Sequence, residues 1–495
     1  MVNKAILPPF SYIEENSKKI LRFHNKEIQP YEFEYRFIDQ TGFENLYVEL
    51  NAKSVNNNGM EYAFHRVPSL TDFTAANLKV VHPHSFCRCF EESSITSVSF
   101  PNLETVEEYG FTNAFNRCTS LAGKLTFKKL HSIGRYAFLG AFSGSKVIGE
   151  RVNSLNTISF PALVNDAEHK NGYFHPYGLE IAFQNCSALN RVEFPILQQV
   201  PEQGLKGTFS GCANMRSADF PYLQVIGKNG MKECFKGCTL LCQKQSTENA
   251  GYKFDIGESI TDIDKPESDS IGLTIGDGAL QSCFEGCTNF YEPVIDGAGN
   301  PIARSPDFLD RILTIGDYGM KECFKDCTKF SGVVSFNKLI RIGTQGLYHA
   351  FSGTDIDVVR FKKVLAQEVT STGYNYANIL TPSYLGLKED GIVQFNLFRT
   401  LETGIQNFET NIQTCGSNRF IAIDIYFANK YTIIPEVELD QYAFVTREED
   451  SGVMYDGNYT AEVQNVTTEK FTLVIRNSTS RPVQVCYNIE WTASL

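Results

Sequence analysis

Apolar residues along this chain recur in a fixed unit rather than in long helical or strand patterns. The stretch from Leu223 to Cys238 reads LQVIGKNGMKECFKGC, and close copies begin at Leu273 and at Leu313. In each copy an Ile-Gly pair is followed by a Phe that lies nine residues after the Ile. A unit repeated at this interval predicts stacked, near-identical pieces of structure, because one such unit cannot bury its own apolar side.

The Phe of each copy is an anchor from which the repeat can be counted. Most successive anchors lie 25 to 27 residues apart, and three gaps are longer, at 41, 49 and 40 residues. The anchors are Phe64, Phe90, Phe115, Phe142, Phe183, Phe209, Phe235, Phe284, Phe324 and Phe351. Alternating segments that end in Pro, such as SVSFPNL at Ser97, lie between several anchors. Pro cannot donate to a strand ladder, so each repeat is expected to hold a short strand, a turn at the Gly and a tight or single helical turn carrying the Phe.

Most of the 14 cysteines follow the repeat and therefore favour a role in the core. The residue before the anchor alternates among Ala, Cys and Thr, and the third residue after it is Cys in most copies and Ser or Thr in others. A position that exchanges these residues requires a small, buried side chain. A structural zinc site at these positions would need four thiolate or imidazole ligands, and Ala cannot supply one. Reduced core cysteines without a metal or cofactor are predicted, and a metal or disulfide role is the weaker alternative.

The pattern F-P-x-L-x-x-I-G-x-x-(A/G)-x-x-x-x-F-x-x-C-x-x-L resembles the leucine-rich repeats of the BspA-like, treponemal type. The resemblance covers residues 56–385 and implies a curved solenoid with strands along one face. Members of that family are mostly cell-surface adhesins and interaction proteins, so the resemblance implies binding rather than catalysis. Residues 1–55 precede the clear repeats. Within them Glu32 to Phe37 and Leu46 to Leu50 alternate as strands do, and the segment is predicted to cap the solenoid or to anchor the protein.

The longer gaps predict insertions at Asn165 to Glu180, Gln243 to Ser270 and Asp296 to Asp310. The first is rich in Tyr and His, which suit recognition loops, and it supplies the candidate binding residues Tyr173, His175 and Tyr177. A solvated loop without a special role is the alternative. The second holds an acidic group, DIDKPESD, that lacks the Gly and terminal Glu of a calcium loop and favours a plain charged loop.

After residue 385 the repeat stops, and a linker at 386–403 leads to strictly alternating segments. One carries Ile421, Ile423 and Ile425, and a later one carries Ile489 and Trp491. This alternation predicts an antiparallel β-sandwich over residues 404–495. The segments LETGIQNF, DIYFANKYTIIPEVEL, AEVQNVTTEKFTLVIRN and YNIEWTASL are similar to the H-type lectin domain.

The H-type resemblance implies a homotrimer of six-stranded sandwiches and binding of N-acetylgalactosamine-type sugars. The chain departs from that family where the sugar would lie, because NSTSRPVQV at Asn477 to Val485 has no aromatic residue and Lys470 replaces a usual Gly. Trimerisation is therefore the stronger expectation. Tyr442, Tyr455 and Arg476 are secondary candidates for binding.

Composition and charge narrow the function classes. The net charge of −12 argues against a general partner of nucleic acid or anionic membranes, since phosphate binding needs Lys and Arg. No apolar run reaches the roughly 18 residues of a membrane helix, and the N-terminal stretch does not read as a signal peptide. No His-Glu-x-x-His, Gly-x-Ser-x-Gly or phosphate-loop motif is present, so no catalytic residues are predicted.

These observations together predict a mainly β protein with short helical turns, in which a leucine-rich-repeat solenoid is followed by a β-sandwich. The expected function is non-enzymatic: a bacteriophage tail or head fibre, made in the host cytoplasm, that joins other virion proteins and binds a bacterial surface glycan or protein. A bacterial cell-surface adhesin or an intracellular repeat scaffold is the alternative, and a glycan hydrolase is less favoured.

Overall fold

The computed structural model describes residues 8–41, 45–122, 125–146, 150–152, 155–165, 173–243, 254–256, 272–295, 301–302, 306–362, 364 and 379–395, together with the C-terminal strands. The described residues divide into two compact units, one drawn from 1–359 and 380–393 and the other from 360–379 and 394–495. Within the part of the chain so described, no helix has the length and apolar character needed to span a bilayer.

The first unit is a solenoid of short strands, and the second contributes longer ones. In chain order the strands are β1 (Phe10–Glu15), β2 (Lys18–Phe23), β3 (Glu27–Ile28), β4 (Leu46–Leu50), β5 (Ser54–Val55), β6 (Leu70–Thr74), β7 (Val80–Val81), β8 (Ser97–Ser99), β9 (Thr105–Val106), β10 (Ser132–Ile133), β11 (Glu150–Val152), β12 (Leu155–Ser159), β13 (Arg191–Glu193), β14 (Gln199–Val200), β15 (Ser217–Phe220), β16 (Val225–Ile226), β17 (Phe254–Ile256), β18 (Leu273–Ile275), β19 (Val294–Ile295), β20 (Pro301–Ile302), β21 (Ile312–Ile315), β22 (Ser331–Phe336), β23 (Arg341–Ile342), β24 (Asp355–Phe361), β25 (Ile392–Phe395), β26 (Arg419–Tyr426), β27 (Glu436–Arg447), β28 (Met454–Tyr455), β29 (Tyr459–Gln464), β30 (Lys470–Asn477) and β31 (Gln484–Ser494). A 3-10 turn at Asp307–Arg311 and a short helix α1 (Pro382–Leu385) complete the described elements.

Each coil of the solenoid has three sides. A longer strand such as β4 is followed by a two-residue strand such as β5 and then by a run of overlapping turns, here called a spiral turn, that carries the anchor Phe. Strands of successive coils pair in parallel, in the sheets β2-β4-β6-β8, β3-β5-β7-β9-β10, β12-β13-β15-β17 and β14-β16-β18-β21-β23. The predicted leucine-rich-repeat solenoid of strands and short turns is thereby confirmed.

The spiral turns are held by two alternating sets of backbone hydrogen bonds. Met60, Tyr62 and Phe64 each donate their N–H to a carbonyl of the next coil, at 2.9, 3.0 and 2.8 Å. The residues between them donate to carbonyls three residues earlier, as Ala63 does to Met60 at 3.1 Å. Each backbone N–H from Asn58 to Arg66 thus has a partner, although this run is neither helix nor strand.

This geometry requires a left-handed backbone conformation at every fourth residue. Asn58 and Tyr62, at φ 56° and 52°, occupy this region, and Gly140 and Gly144, at 62° and 74°, do so in a later coil. Only Gly adopts such angles without steric cost. The outward-facing part of the solenoid therefore carries backbone strain that the stacked core must offset.

The core is a column of stacked anchor rings. Ring centroids of successive anchors lie 5.0 to 6.0 Å apart with planes within 15° of parallel, from Phe37 through the anchor of every described coil to Phe351. The ring spacing matches the roughly 4.8 Å spacing of hydrogen-bonded strands, with a small offset. Each anchor at Phe64 and beyond is fully buried. Identical Phe residues therefore recur because each ring packs on its own copy in the next coil.

The cysteines that follow the anchors are free, buried thiols that bond to the main chain. Cys287 Sγ donates to the carbonyl of Phe235 at 3.0 Å, and Cys238 Sγ donates to the carbonyl of Phe209 at 3.1 Å. The same bond recurs at Cys118, Cys186, Cys212 and Cys327. Burial raises the pKa of Cys118 and Cys186 to about 12, so the thiols keep the proton that they donate.

Replacing Cys287 by Ala should lower the free energy of unfolding by about 1 kcal/mol, from a small cavity and one weak hydrogen bond. The Phe235 carbonyl keeps a second donor, the N–H of Cys238 at 3.0 Å, so the loss stays small. Cys287→Ser retains a donor and should cost less. Urea denaturation followed by circular dichroism measures both variants, and a Ser variant as damaging as the Ala variant would contradict the hydrogen-bond account.

Residues 32–37 were expected to form a strand, and this prediction is wrong. Tyr31 and Tyr35 have φ values of 59° and 53°, and Phe33 and Phe37 are buried four residues apart, as Met60 and Phe64 are. The segment is a spiral turn whose polar and apolar residues happen to alternate. Coil geometry is thus already present before residue 56.

The N-terminal end of the solenoid is covered by a hairpin. β1 pairs antiparallel with β2 at the edge of the first sheet. The Phe10 ring lies 5.9 Å from Phe23, 6.0 Å from Phe33 and 5.7 Å from Phe37. This packing covers the first rings of the column, while attachment of residues 1–55 to another protein stays a prediction.

At the other end of the described solenoid, α1 takes the place of a further spiral turn. Phe351 and His349 donate their N–H groups to the carbonyls of Leu385 and Tyr384, at 2.9 and 2.8 Å. Thr381 Oγ1 caps the helix by accepting from the Tyr384 N–H at 3.1 Å, and Gly386 ends it at φ 76°. β22, β24 and β25 form the adjoining sheet.

In the second unit the described strands form two three-stranded sheets, β26-β30-β29 and β28-β27-β31. All of their pairings are antiparallel, and β27 pairs with β31 along nearly its whole length. The predicted antiparallel strands are therefore present. Their assembly into a sandwich, and the boundaries of the linker at 386–403 and of the domain at 404–495, stay predictions.

Candidate recognition surface

The sixth residue before each anchor lies at the same place in every spiral turn, with a left-handed backbone, so these residues form a row along the solenoid. The row reads Tyr31, Asn58, His84, Tyr109, Tyr136, Tyr177, Gln203, Asn229, Gly278, Tyr318 and Gln345. Four successive members are aromatic, from His84 to Tyr177. This part of the row is called the aromatic ridge below.

The rings of the aromatic ridge stack between coils. Centroids lie 4.7 Å apart for His84 and Tyr109, 5.0 Å for Tyr109 and Tyr136, and 4.6 Å for Tyr136 and Tyr177. The interplanar angles are 18°, 16° and 32°. All four side chains are half-buried. The ridge therefore presents a pre-ordered line of ring edges to solvent, and its rotamers are held by stacking before any ligand arrives.

A cation lies beside the ridge. The guanidinium of the exposed Arg135 is 5.2 Å from the ring centroids of both Tyr136 and Tyr177. Its hydrogen bond to Tyr136 raises the pKa of Arg135, which stays charged at any relevant pH. Ring edges next to a fixed guanidinium form a surface that can accept and donate hydrogen bonds to hydroxyl-rich or acidic partners.

Ile181, four residues after Tyr177, is strained. Its φ of 48° is a rare conformation for a β-branched residue. The equivalent positions of the neighbouring coils are Gly140 and Gly207, and a Cβ on Gly207 would lie 2.9 Å from Ile181 Cγ2. A half-buried apolar side chain thus occupies space left free by two glycines, beside the end of the ridge. Local strain of this kind is most often retained at functional positions.

A second aromatic pair lies nearer the N-terminus. Tyr35 and Tyr62 stack at 4.9 Å with planes 14° apart, and the Arg88 guanidinium is 5.9 Å from the Tyr62 ring. Tyr35 is 49% exposed. Burial raises the pKa of both phenols, with Arg88 acting in the opposite direction on Tyr62, so both remain protonated hydrogen-bond donors at neutral pH.

The three candidate residues of the first insertion, Tyr173, His175 and Tyr177, each contact different partners. Tyr177 belongs to a regular spiral turn and ends the aromatic ridge, so the insertion predicted for Asn165 to Glu180 stops short of it. His175 is exposed, and its N–H donates to the Ile133 carbonyl at 2.9 Å. Tyr173 is 36% exposed, and its ring meets His131 edge-on at 5.8 Å.

Most of the remaining insertion residues fall outside the described part of the chain. This applies to 166–172, to 244–253 and 257–271, which include the acidic group DIDKPESD, and to 296–300 and 303–305. The end of the third insertion is described. There the 3-10 turn buries Phe308 and Leu309 against the solenoid, so this part of it is structural.

The C-terminal candidates lie on strands whose side chains are outside the described part. Tyr442 is on β27 opposite Ile489, and Tyr455 is on β28 opposite Thr446. Arg476 is on β30 opposite Phe420, in the other sheet. The three are therefore not neighbours on one sheet, and their part in binding stays a proposal.

Tyr109, Tyr136, His84 and Arg135 are not among the candidate residues that the sequence predicts. His84, Tyr109 and Tyr136 lie inside repeats that the sequence predicts as core, at a position where Asn, Gln and Gly also occur, and Arg135 directly precedes Tyr136. The signal that identifies the aromatic ridge is periodic across the repeats. Aligning the repeats on their anchors and reading the sixth position before each Phe would have shown four consecutive aromatic residues.

A family model described as BspA type Leucine rich repeat region matches the chain at residues 26–165 and 179–296, in six copies. Together these ranges make up more than half of the chain. They include the first spiral turn and three members of the aromatic ridge, His84, Tyr109 and Tyr136, while Tyr177 falls in the gap between them; the C-terminal strands lie outside both ranges. No curated protein matches the chain.

Proposed function

The chain belongs to the BspA-type leucine-rich repeat family, and from this premise we propose that it is a non-enzymatic recognition protein that binds a bacterial surface glycan or protein. The aromatic ridge and Arg135 carry the proposal. Half-buried Tyr side chains offer contact area and hydroxyl groups at low entropic cost, and Arg adds charge. A rigid solenoid face binds with little ordering of its own.

Stacking could instead serve stability alone, since an aromatic pair contributes about 0.5–1.5 kcal/mol. Three observations favour recognition. Four of the six aromatic members of the row fall in consecutive coils, Arg135 is exposed beside them, and the strained Ile181 lies at their end. A purely stabilising ladder has no need of an exposed cation or a strained neighbour.

The finer proposal is that the protein is a virion component, a bacteriophage fibre or receptor-binding protein made in the host cytoplasm and joined to other virion proteins. The buried thiols described above are not joined in disulfides, which suits folding in a reducing cytosol. The C-terminal antiparallel strands suit the trimeric sandwich that the H-type resemblance implies. Three copies would raise a weak single-site affinity by avidity if all three reach one surface. A bacterial cell-surface adhesin is the alternative.

The test is binding of fluorescently labelled protein to a panel of candidate bacterial cells. Tyr136→Phe with Tyr177→Phe keeps the stack and removes two hydroxyl groups, and Arg135→Ala removes the cation. We expect the triple variant to bind at least about tenfold more weakly, since Tyr and Arg dominate binding hot spots. Tyr222→Phe with Tyr318→Phe, two exposed tyrosines outside the ridge, is the matched control and should bind as the wild type does.

Light scattering of the same sample reports the oligomeric state, and a monomer at micromolar concentration would remove the avidity argument. Equal binding by the triple and control variants would remove the ridge from the proposal. Binding to no cell, together with antibody labelling deep inside a particle, would leave a structural role. Antibody labelling of bacterial cells in the absence of phage would favour the adhesin.

A further inference from the structure

Cys87 does not follow the pattern of the other described cysteines. Those beside the anchors are fully buried, and the series after the anchors bonds to backbone carbonyls. Cys87 lies three residues before its anchor, on the outer side of the spiral turn, and is 8% exposed. The equivalent residue of the preceding coil is Glu61, and Lys206 and Lys321 occupy the position in later coils. A thiol at a place used mostly by charged and polar side chains calls for a separate explanation.

Two other ligand-type side chains converge on this thiol. A carboxylate oxygen of Glu61, a ring nitrogen of His84 and the Cys87 sulfur all lie within 4.8 Å of one another. Glu61 is supplied by one coil, and His84 and Cys87 are supplied by the next, three residues apart. Among the described residues this is the group that combines three different kinds of metal ligand.

The backbone holds these residues in place. The Cys87 N–H donates to the His84 carbonyl at 3.1 Å, and the Cys87 carbonyl accepts from the Tyr62 N–H of the preceding coil at 3.0 Å. The His84 ring is fixed by its stack on Tyr109. The Asn58 amide donates to the Glu61 carboxylate. A site whose ligands are oriented by neighbours of this kind is pre-organised for a cation.

The local charge favours a cation as well. The carboxylates of Glu61 and Glu91 both act on the Cys87 thiol, and Glu61 also acts on the neighbouring Glu34. Arg88 is the cation that acts on Cys87. Its guanidinium also lies 3.6 Å from the Glu91 carboxylate, which offsets part of its positive charge. The outer face here therefore holds more negative than positive charge around the thiol.

We propose that Glu61, His84 and Cys87 bind one Zn²⁺ ion. Thiolate, imidazole and carboxylate are ligands that zinc accepts, and three protein ligands leave a fourth position open to water or to a group of a bound partner. Binding transfers the Cys87 proton to solvent, so the affinity must rise with pH. The ion would join two coils at the His84 end of the aromatic ridge. The inference does not depend on the proposed recognition function.

In the sequence a metal role is only the weaker alternative, because Ala also occurs at the repeated cysteine positions. The three ligands here are separated by 23 and 3 residues and meet because the coils stack. Their spacing matches no zinc motif, and Cys87 is hidden among cysteines that serve the core.

The experiment uses the full chain, stripped with a chelator and titrated with Zn²⁺ against a competing metal-binding dye, with Co²⁺ as a spectroscopic probe. The wild type should bind one ion per chain and show the near-ultraviolet absorption of a cobalt–thiolate bond. Cys87→Ser and His84→Asn should each weaken binding by at least about tenfold and, for Cys87→Ser, abolish that absorption. Raising the pH from 6 to 8 should strengthen wild-type binding.

The matched controls are Cys118→Ser, a core thiol of the same region, and His82→Asn, a neighbouring histidine whose Nδ1 lies 3.1 Å from Glu107. Both should bind zinc as the wild type does. Circular dichroism of each stripped variant separates loss of the site from loss of the fold. Absence of zinc binding by the wild type, or binding and cobalt absorption that survive Cys87→Ser, would overturn the proposal.

Discussion

Replacing Phe142 by Ala should lower the free energy of unfolding of the solenoid by about 3–5 kcal/mol. Phe142 is fully buried, and its ring packs between those of Phe115 at 5.0 Å and Phe183 at 5.3 Å. Truncation leaves a cavity in the middle of a stack whose neighbours are held by inter-coil hydrogen bonds and cannot collapse into it. In a repeat protein the loss acts at two interfaces at once.

Urea denaturation followed by far-ultraviolet circular dichroism measures this loss. Trp491 in β31 is the single tryptophan of the chain, so its fluorescence follows the C-terminal strands separately. Tyr318→Ala is the matched control, because Tyr318 is an aromatic residue 43% exposed in a spiral turn, and its removal should change stability by less than about 0.5 kcal/mol. Similar losses for the two variants would mean that the ring column is not the principal support of the coils.

The anchor column was predictable because its signal is one-dimensional. A Phe at a fixed interval predicts that the rings of successive repeats stack. The small residues beside each Phe indicate that the space next to the ring is narrow. The same periodic pattern predicted that the cysteines after the anchors are small, buried core residues. It did not predict their bond to the preceding Phe carbonyl, because that bond joins residues 28 or more positions apart and depends on the rise between coils.

The candidate sites were less predictable for the same physical reason. The aromatic ridge and the cluster of Glu61, His84 and Cys87 exist only after coils are placed one above another. Composition of a single loop, which suggested Tyr173, His175 and Tyr177 as a group, says little about neighbours across coils. Of these, Tyr177 gains its aromatic partner Tyr136 from a residue 41 positions earlier.

The Ile-Gly motif identifies the repeat correctly, but its glycine is required for a reason other than the expected turn. A turn was expected at this residue, which ordinarily points to a left-handed backbone. Gly227, Gly276 and Gly316 are not among the residues with positive φ. They are required because the coils approach closely. A Cβ on Gly276 would lie 2.8 Å from the carbonyl oxygen of Ile226 in the preceding coil.

Gly316→Val should therefore lower the free energy of unfolding by about 2–4 kcal/mol through overpacking and the loss of a charged hydrogen bond. A Cβ on Gly316 would lie 2.5 Å from Asp277 Oδ1 and 2.7 Å from the Asp277 backbone nitrogen. The same Oδ1 accepts the N–H of Asp317 at 2.9 Å, so the new side chain displaces an acceptor that links two coils.

Asp277→Ala separates the two contributions in a double-mutant cycle. It removes the carboxylate contact and leaves the backbone contact, so Gly316→Val should cost less in the Ala background and still more than about 1 kcal/mol. Glu107→Val is the matched control, since Glu107 occupies the same repeat position in a coil that already accommodates a side chain there. Equal stability of the Gly316 and Glu107 variants in urea would show that the coils can separate freely. The regular spacing of the ring column, with its neighbours 5.0 to 6.0 Å apart, argues that they cannot.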